Sequence, residues 1–109
     1  MQALPPKYVK SVMVTNNFAD DILHVVGTFK SGETKELALP HGATVIVKRK
    51  IDQGDWKAVD PVINVTVKYS AEGGVVTSQD VSSDGGVKRF ALTIRKDANG
   101  NAHNQLLES

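Results

Sequence analysis

The sequence contains no cysteine, which excludes disulfide bonds, thiolate metal sites and thiol nucleophiles. Small secreted domains are often stabilised by disulfides, so the absence of cysteine favours a reducing compartment. Residues 1–7 also lack the basic and apolar regions of a signal peptide. No apolar run is long enough to span a bilayer. We therefore expect a cytoplasmic protein.

An excess of either charge is also absent. Thirteen Lys and Arg residues against twelve Asp and Glu residues give a formal net charge of +1, which does not favour a nucleic-acid partner. Aromatic residues make up only 6% of the chain, so platforms for stacking on bases are scarce and no nucleic acid is expected as a partner. The 109 residues, 40% of them hydrophobic, suit one globular domain over residues 1–109.

What the sequence does contain is a series of short runs rich in Val, Ile and Thr, which are typical of β-strands. Turn residues separate these runs, for example at Ser31-Gly32 and Asp97-Ala98-Asn99-Gly100. The polar content of 75–81 indicates an edge strand. The tail from residue 101 to 109 either adds a short strand through Leu106 and Leu107 or frays, and flexibility is also expected in residues 1–7. The predicted strands cover 8–15, 22–29, 34–39, 43–51, 56–59, 62–69, 75–81 and 87–95.

No segment carries a helical apolar stripe longer than two turns. Seven or eight strands at this spacing predict an all-β, two-sheet antiparallel sandwich, immunoglobulin-like or Greek-key, with a jelly roll or a small closed barrel as alternatives. The clearest alternation lies in 62–69, where Ile63, Val65, Val67 and Tyr69 are predicted to face the core.

The basic run Lys48-Arg49-Lys50 is the first candidate for a binding surface. Lys68 and Lys88 add positive charge later in the chain, as do Lys57, Arg89, Arg95 and Lys96. If Lys48, Lys50, Lys68 and Lys88 share a sheet face, they form an anion-binding strip for phosphate, lipid headgroups or an acidic partner. The alternative is that these lysines cover solvent faces and protect edge strands from aggregation.

Acidic residues are concentrated in the predicted turns. Calcium needs six to eight oxygen ligands, so several of these turns would have to converge to bind it. Asp is also common in turns because its side chain bonds nearby backbone amides, and this interpretation is preferred. A calcium- or anionic-lipid-binding module resembling a C2 domain remains the alternative function. The residues concerned are Asp20, Asp21, Asp52, Asp55, Asp60, Asp84 and Asp97.

Trp56, which follows Asp55, is the only tryptophan. It could stack on a sugar or anchor a protein interface, but packing in or at the rim of the core is preferred. His24, His41 and His103 lack the spacing of a metal motif, and no serine stands in a nucleophile motif. A small enzyme that uses these histidines is therefore the least favoured alternative.

Together these features predict a non-enzymatic binding or protein-interaction module with no cofactor and no bound metal. We expect a protein partner, whose identity the sequence does not give, with a membrane surface as the alternative. The residues expected to contact it are Trp56, Asp55, Lys48, Lys50, Lys68 and Lys88.

Overall fold

In a computed structural model, residues 6–19, 21–70 and 72–109 are described, and they form ten β-strands and no helix. The strands are β1 (Tyr8–Asn17), β2 (Leu23–Phe29), β3 (Thr34–Leu39), β4 (Thr44–Val47), β5 (Arg49–Asp52), β6 (Lys57–Asp60), β7 (Val62–Lys68), β8 (Val75–Asp80), β9 (Val87–Lys96) and β10 (Ala102–Glu108). Eight of them form two four-stranded sheets, and the predicted all-β, two-sheet sandwich is confirmed. The part of the chain so described contains no helix that could cross a membrane.

The strand order is β10-β9-β1-β4 in sheet A and β3-β2-β7-β8 in sheet B. All neighbouring strands are antiparallel except β1 and β9, which run parallel. The prediction that residues 75–81 form an edge strand is confirmed, because β8 lies at the edge of sheet B. The tail forms β10 rather than fraying. Of the N-terminal residues for which flexibility is expected, 1–5 lie outside the described ranges.

The single long strand predicted over 43–51 is wrong. The chain changes partners at Lys48, because β4 pairs with β1 in sheet A whereas β5 pairs with β6 in a separate two-stranded hairpin. An ion pair holds the base of this hairpin: Arg49 Nη1 lies 2.6 Å from Oδ2 of the buried Asp60. Ser31 donates its hydroxyl to the same carboxylate oxygen at 2.5 Å.

The core lies between the two sheets and consists almost entirely of aliphatic side chains, with Phe18 and Phe29 as its buried aromatic residues. Alternation places these side chains on the inner face of each strand. A chain without disulfides depends on this burial, at about 25 cal/mol per Å² of apolar surface removed from water. The fully buried residues include Val12, Val14, Val25, Val47, Val65, Val67, Leu92 and Ile94.

The predicted inner face of β7 is correct at its centre and wrong at its ends. Val65 and Val67 are fully buried, but Ile63 is 42% exposed and Tyr69 is 43% exposed. The pairing of β7 with β2 shifts register between Thr28 and Phe29, so that Val62 pairs with Phe29 and is buried. Ile63 is therefore the extra residue of a bulge, and its side chain faces solvent.

Gly27 marks a close approach between the two sheets. It lies on the inner face of β2, and a Cβ atom at this position would overlap Cγ1 of Val47 on β4. An alanine at residue 27 would therefore require Val47 to move, because protein interiors are close-packed.

Candidate binding surface

The outward side chains of sheet A form rows across the four strands, because residues paired in register lie about 4.8 Å apart. One row is apolar: Leu107 pairs with Ala91, Ala91 with Met13, and Met13 with Ile46. Leu107, Met13 and Ile46 are 55%, 40% and 47% exposed. This row places large apolar side chains in solvent across the full width of the sheet.

A basic row lies beside the apolar one. Lys48 follows Ile46 by two residues and therefore points to the same side, and Arg89 precedes Ala91 by the same interval. Lys10 reaches this side through a register shift in β1 between Val9 and Ser11. A shallow depression of about 340 Å³ lies between the two rows. Its polar lining consists of Lys10, Ser11, Lys48, Arg89 and Ser109, and its apolar lining of Met13, Ile46 and Phe90.

No acidic residue of the described ranges pairs with these three cations. Within residues 6–19, 21–70 and 72–109, no ion pair involves Lys10, Lys48 or Arg89. The outward positions of the four strands carry no carboxylate either. We call Lys10, Met13, Ile46, Lys48, Arg89 and Leu107 the basic-apolar face.

Neutral polar side chains follow on the other side of the apolar row. Thr15 and Thr44 share a hydrogen bond of 2.8 Å between their hydroxyls, and Thr93 pairs with Gln105. The next row contains Arg95 and His103, and a second depression of about 300 Å³ lies over Thr93, Arg95 and Gln105. The outer surface of sheet A is thus banded into basic, apolar, neutral polar and basic rows.

The outer surface of sheet B differs because polar groups at its centre satisfy one another. Asn64 donates its side-chain amide to Asp80 Oδ1 at 2.9 Å and to Ser78 Oγ at 3.1 Å. Thr66 donates its hydroxyl to Asn64 Oδ1 at 2.8 Å. Groups already paired in this way gain little from a partner, whereas unpaired cations and exposed apolar side chains do gain.

The four lysines predicted to bind do not share a face. Lys48 lies on the basic-apolar face, and Lys68 lies on the outer surface of sheet B, where it pairs in register with His24. Lys50 is exposed on the β5–β6 hairpin. Lys88 is held by Glu108, whose hydrogen bond at 3.0 Å and negative charge raise the lysine pKa.

Trp56 and Asp55 lie at the tip of the β5–β6 hairpin. Every residue from 52 to 57 is exposed, and Trp56 is 62% exposed. The preferred packing of Trp56 in or at the rim of the core is therefore wrong. Strands β5 and β6 pair with each other and with neither large sheet, so their turn carries the indole away from both.

Several of the acidic turn residues make local contacts. Asp60 bonds Ser31 and Arg49, and although burial would raise its pKa, the hydrogen bonds from Ser31 and then Arg49 hold that pKa below its usual range. Asp21 lies 2.5 Å from Lys96 Nζ. In the described part of the chain, no group of three or more acidic or histidine side chains could hold a metal ion. Asp20 lies outside that part.

Asp97 shows the turn role most fully. Its Oδ1 accepts the backbone amides of Asn99 at 2.9 Å and Asn101 at 3.0 Å. Its Oδ2 lies 2.7 Å from His103 Nε2. The hydrogen bond from His103, followed by that of the Asn101 amide, lowers the pKa of Asp97 to about 2. The turn interpretation of this segment is confirmed.

The three histidines lie on separate elements. His24 is on β2, 3.5 Å from Glu36, and His41 is exposed in the turn between β3 and β4. His103 is on β10, at the edge of the second depression. No serine or threonine hydroxyl bonds any of them in the described ranges, so they do not form a nucleophile and base pair there.

Sequence reasoning did not select Lys10, Met13, Ile46 or Leu107 as binding residues. For Met13 and Ile46 a signal exists, because each large apolar residue stands between two inward-facing valines and must therefore point outward. Lys10 depends on a bulge that no pattern in the sequence marks.

Comparison with known proteins yields no relative: no family model, no curated protein and no solved structure matches the chain.

Proposed function

We propose that this chain is a non-enzymatic protein-interaction module that binds its partner on the basic-apolar face. The observation that carries the proposal is the combination, on one face of sheet A, of exposed apolar side chains with three cations that form no ion pair within the described residues. The partner surface that this face fits is acidic and partly apolar.

The two rows have separate roles in this proposal. Met13, Ile46 and Leu107 supply the apolar area whose burial favours association. Lys10, Lys48 and Arg89 select a partner of opposite charge and accelerate encounter, since rim charges act mainly on association rate and specificity. Binding should therefore weaken as ionic strength rises, because exposed charges are screened over about 8 Å at physiological salt.

Two other functions receive less support. Calcium binding requires loop carboxylates that converge, and the described residues contain no group of three or more acidic or histidine side chains that could hold a metal ion. An anionic membrane surface offers the same charge as an acidic protein, but the neutral polar row beside the apolar one limits how much of sheet A can enter a lipid interface.

The test places a photocrosslinking residue at Ile46 and, as a matched control, at Ser78 on the outer surface of sheet B. A protein crosslinked from Ile46 and not from Ser78 is identified, purified and titrated against the unmodified chain. Its dissociation constant should rise at least about tenfold for the variant with Lys48→Glu and Arg89→Glu. The variant Lys68→Glu, on the opposite surface, should bind as the unmodified chain does.

Three outcomes would overturn the proposal. They are equal crosslinking from both positions, no crosslinked protein at all, and a partner whose affinity is unaffected by Lys48→Glu and Arg89→Glu. A parallel sedimentation assay with phosphatidylcholine vesicles that contain phosphatidylserine determines whether the chain binds an anionic membrane. If those vesicles bind the chain and no protein does, the face recognises a membrane instead.

A further inference from the structure

The sandwich has four edge strands, and three of them carry features that oppose pairing with another chain. β4 is only four residues long, β3 carries Lys35 and Glu36, and the pairing of β8 with β7 contains a register shift. Short length, charge and irregularity are the usual means by which proteins protect their edges.

β10 lacks these features. It pairs with β9 over seven consecutive residues without a register shift. It contains neither lysine nor proline, and its one acidic residue, Glu108, is the last of the strand. No other strand of the described ranges pairs with its outer edge. By the same criteria, β10 is open to pairing with a further strand.

The backbone hydrogen bonds at the two ends of β10 fix which groups point outward. The carbonyl of Asn101 accepts the Asp97 amide at 2.9 Å, and the amide of Ser109 donates to the Arg89 carbonyl at 2.8 Å. In an antiparallel ladder alternate residues bond the same neighbour. The odd-numbered residues of β10 therefore bond β9, and Ala102, Asn104, Leu106 and Glu108 direct their N–H and C=O groups away from the sheet.

We infer that β10 pairs antiparallel with β10 of a second copy of this chain, about a two-fold axis at Gln105. This register uses all seven residues, because Gln105 is the centre of the strand. It brings the outward-bonding residues opposite one another: Asn104 faces Leu106 of the second copy, and Ala102 faces its Glu108. No pair sets like charges opposite each other, which would be destabilising.

The proposed pairing joins two copies of sheet A into one eight-stranded sheet. A two-fold contact of this kind is closed, so it yields a dimer and not a fibre. The inference is independent of the function proposed for the basic-apolar face, because it depends on the backbone at the edge of the sheet and not on the outward side chains.

The absence of cysteine makes a direct test available. In the inferred register the two Gln105 residues form a non-hydrogen-bonded pair, whose Cα atoms are about 4.5 Å apart. A disulfide spans that distance. The variant Gln105→Cys should therefore form a covalent dimer on mild oxidation. The variant Leu107→Cys should not form a covalent dimer, because the two introduced cysteines would lie about four residues apart along the strands. When it is mixed with the variant His103→Cys, however, a disulfide should form between the two chains, because residue 107 of one copy faces residue 103 of the other.

Sedimentation of chains without engineered cysteine tests the association itself. Asn104→Pro removes an outward N–H and leaves the bonds to β9 intact, so it should fold and remain monomeric. Asn104→Ala, which loses the same bond from Gln79 Nε2 to the asparagine side chain, should still associate. Far-UV circular dichroism confirms that both variants fold.

The inference is overturned if the unmodified chain sediments as a monomer from roughly 10 µM to 1 mM, the range of weak association. It is also overturned if Gln105→Cys crosslinks no better than Leu107→Cys. Association that survives Asn104→Pro would show that a different surface forms the dimer.

Discussion

Replacing Gly27 by alanine should destabilise the protein, although alanine is normally the better residue inside a strand. In an unhindered strand, Gly→Ala gains about 0.5–1 kcal/mol because glycine loses more conformational freedom on folding. At residue 27 the new Cβ overlaps Cγ1 of Val47, a side chain with no solvent exposure. Overpacking of this kind costs about 1–3 kcal/mol. We therefore expect a net loss of about 1–2 kcal/mol in the free energy of unfolding.

The sign of the effect should reverse when Val47 is shortened. Val47→Ala alone deletes two buried methyl groups and leaves a cavity, which should cost about 2–3 kcal/mol. In that background the atom that overlaps Cβ of residue 27 is gone. Gly27→Ala should then stabilise by up to about 1 kcal/mol, because it partly fills the cavity and restricts the unfolded chain. The two substitutions should thus show a coupling energy of about 2 kcal/mol.

Urea unfolding followed by far-UV circular dichroism measures all four members of this cycle. Gly74→Ala is the matched control, because a Cβ at residue 74 meets nothing within 4 Å. It should leave stability within about 0.5 kcal/mol of the unmodified chain or raise it slightly. Additive effects of the two core substitutions, or stabilisation by Gly27→Ala in the original background, would refute the close approach of the sheets.

Three further predictions concern charges and exposure. Asp60→Asn should lower the free energy of unfolding, measured in urea titrations, by about 1.5–3 kcal/mol, because the hydrogen bonds from Ser31 and Arg49 lose their charged acceptor. A change below about 0.5 kcal/mol would show that these hydrogen bonds contribute nothing to stability. The lowered pKa of Asp97, about 2 against an ordinary 3.8, means that its contribution is complete above about pH 4 and is lost as the pH falls through 2. The stability difference between the unmodified chain and Asp97→Asn should therefore shrink over that interval in unfolding experiments, and a difference that is constant with pH would contradict the assignment. Val65→Asp should unfold the domain by placing a charge in the core, whereas Trp56→Ala should leave the melting temperature nearly unchanged; equal effects would refute the burial pattern.

The fold was more predictable than the surface. Strands such as β3 and β9 could be located because their alternation and the turns around them are local properties of the chain. The division at Lys48 was not predictable, because it depends on β4 and β5 choosing different partners, and the sequence on both sides reads as strand.

The binding surface was less predictable because it depends on which strands become neighbours. Met13 and Ile46 can each be assigned to an outward position from the valines around them. That they lie side by side, and next to Arg89, follows only from the pairing of β1 with β4 and β9. Trp56 illustrates the converse error: large aromatic residues are usually buried, but the turn of a two-stranded hairpin that pairs with neither large sheet can hold one in solvent.

The parallel pairing of β1 with β9 has a consequence for how the protein folds during synthesis. Tyr8 pairs with Val87, so β1 leaves the ribosome well before β9, the strand with which it forms its longest pairing. Until then β1 can pair only with β4, which is four residues long. Pairings so distant in sequence slow folding, commonly to milliseconds or seconds. The apolar inner residues of β1 therefore lack this partner until β9 has been synthesised, and exposed apolar surface of this kind is what makes incompletely folded chains prone to aggregation.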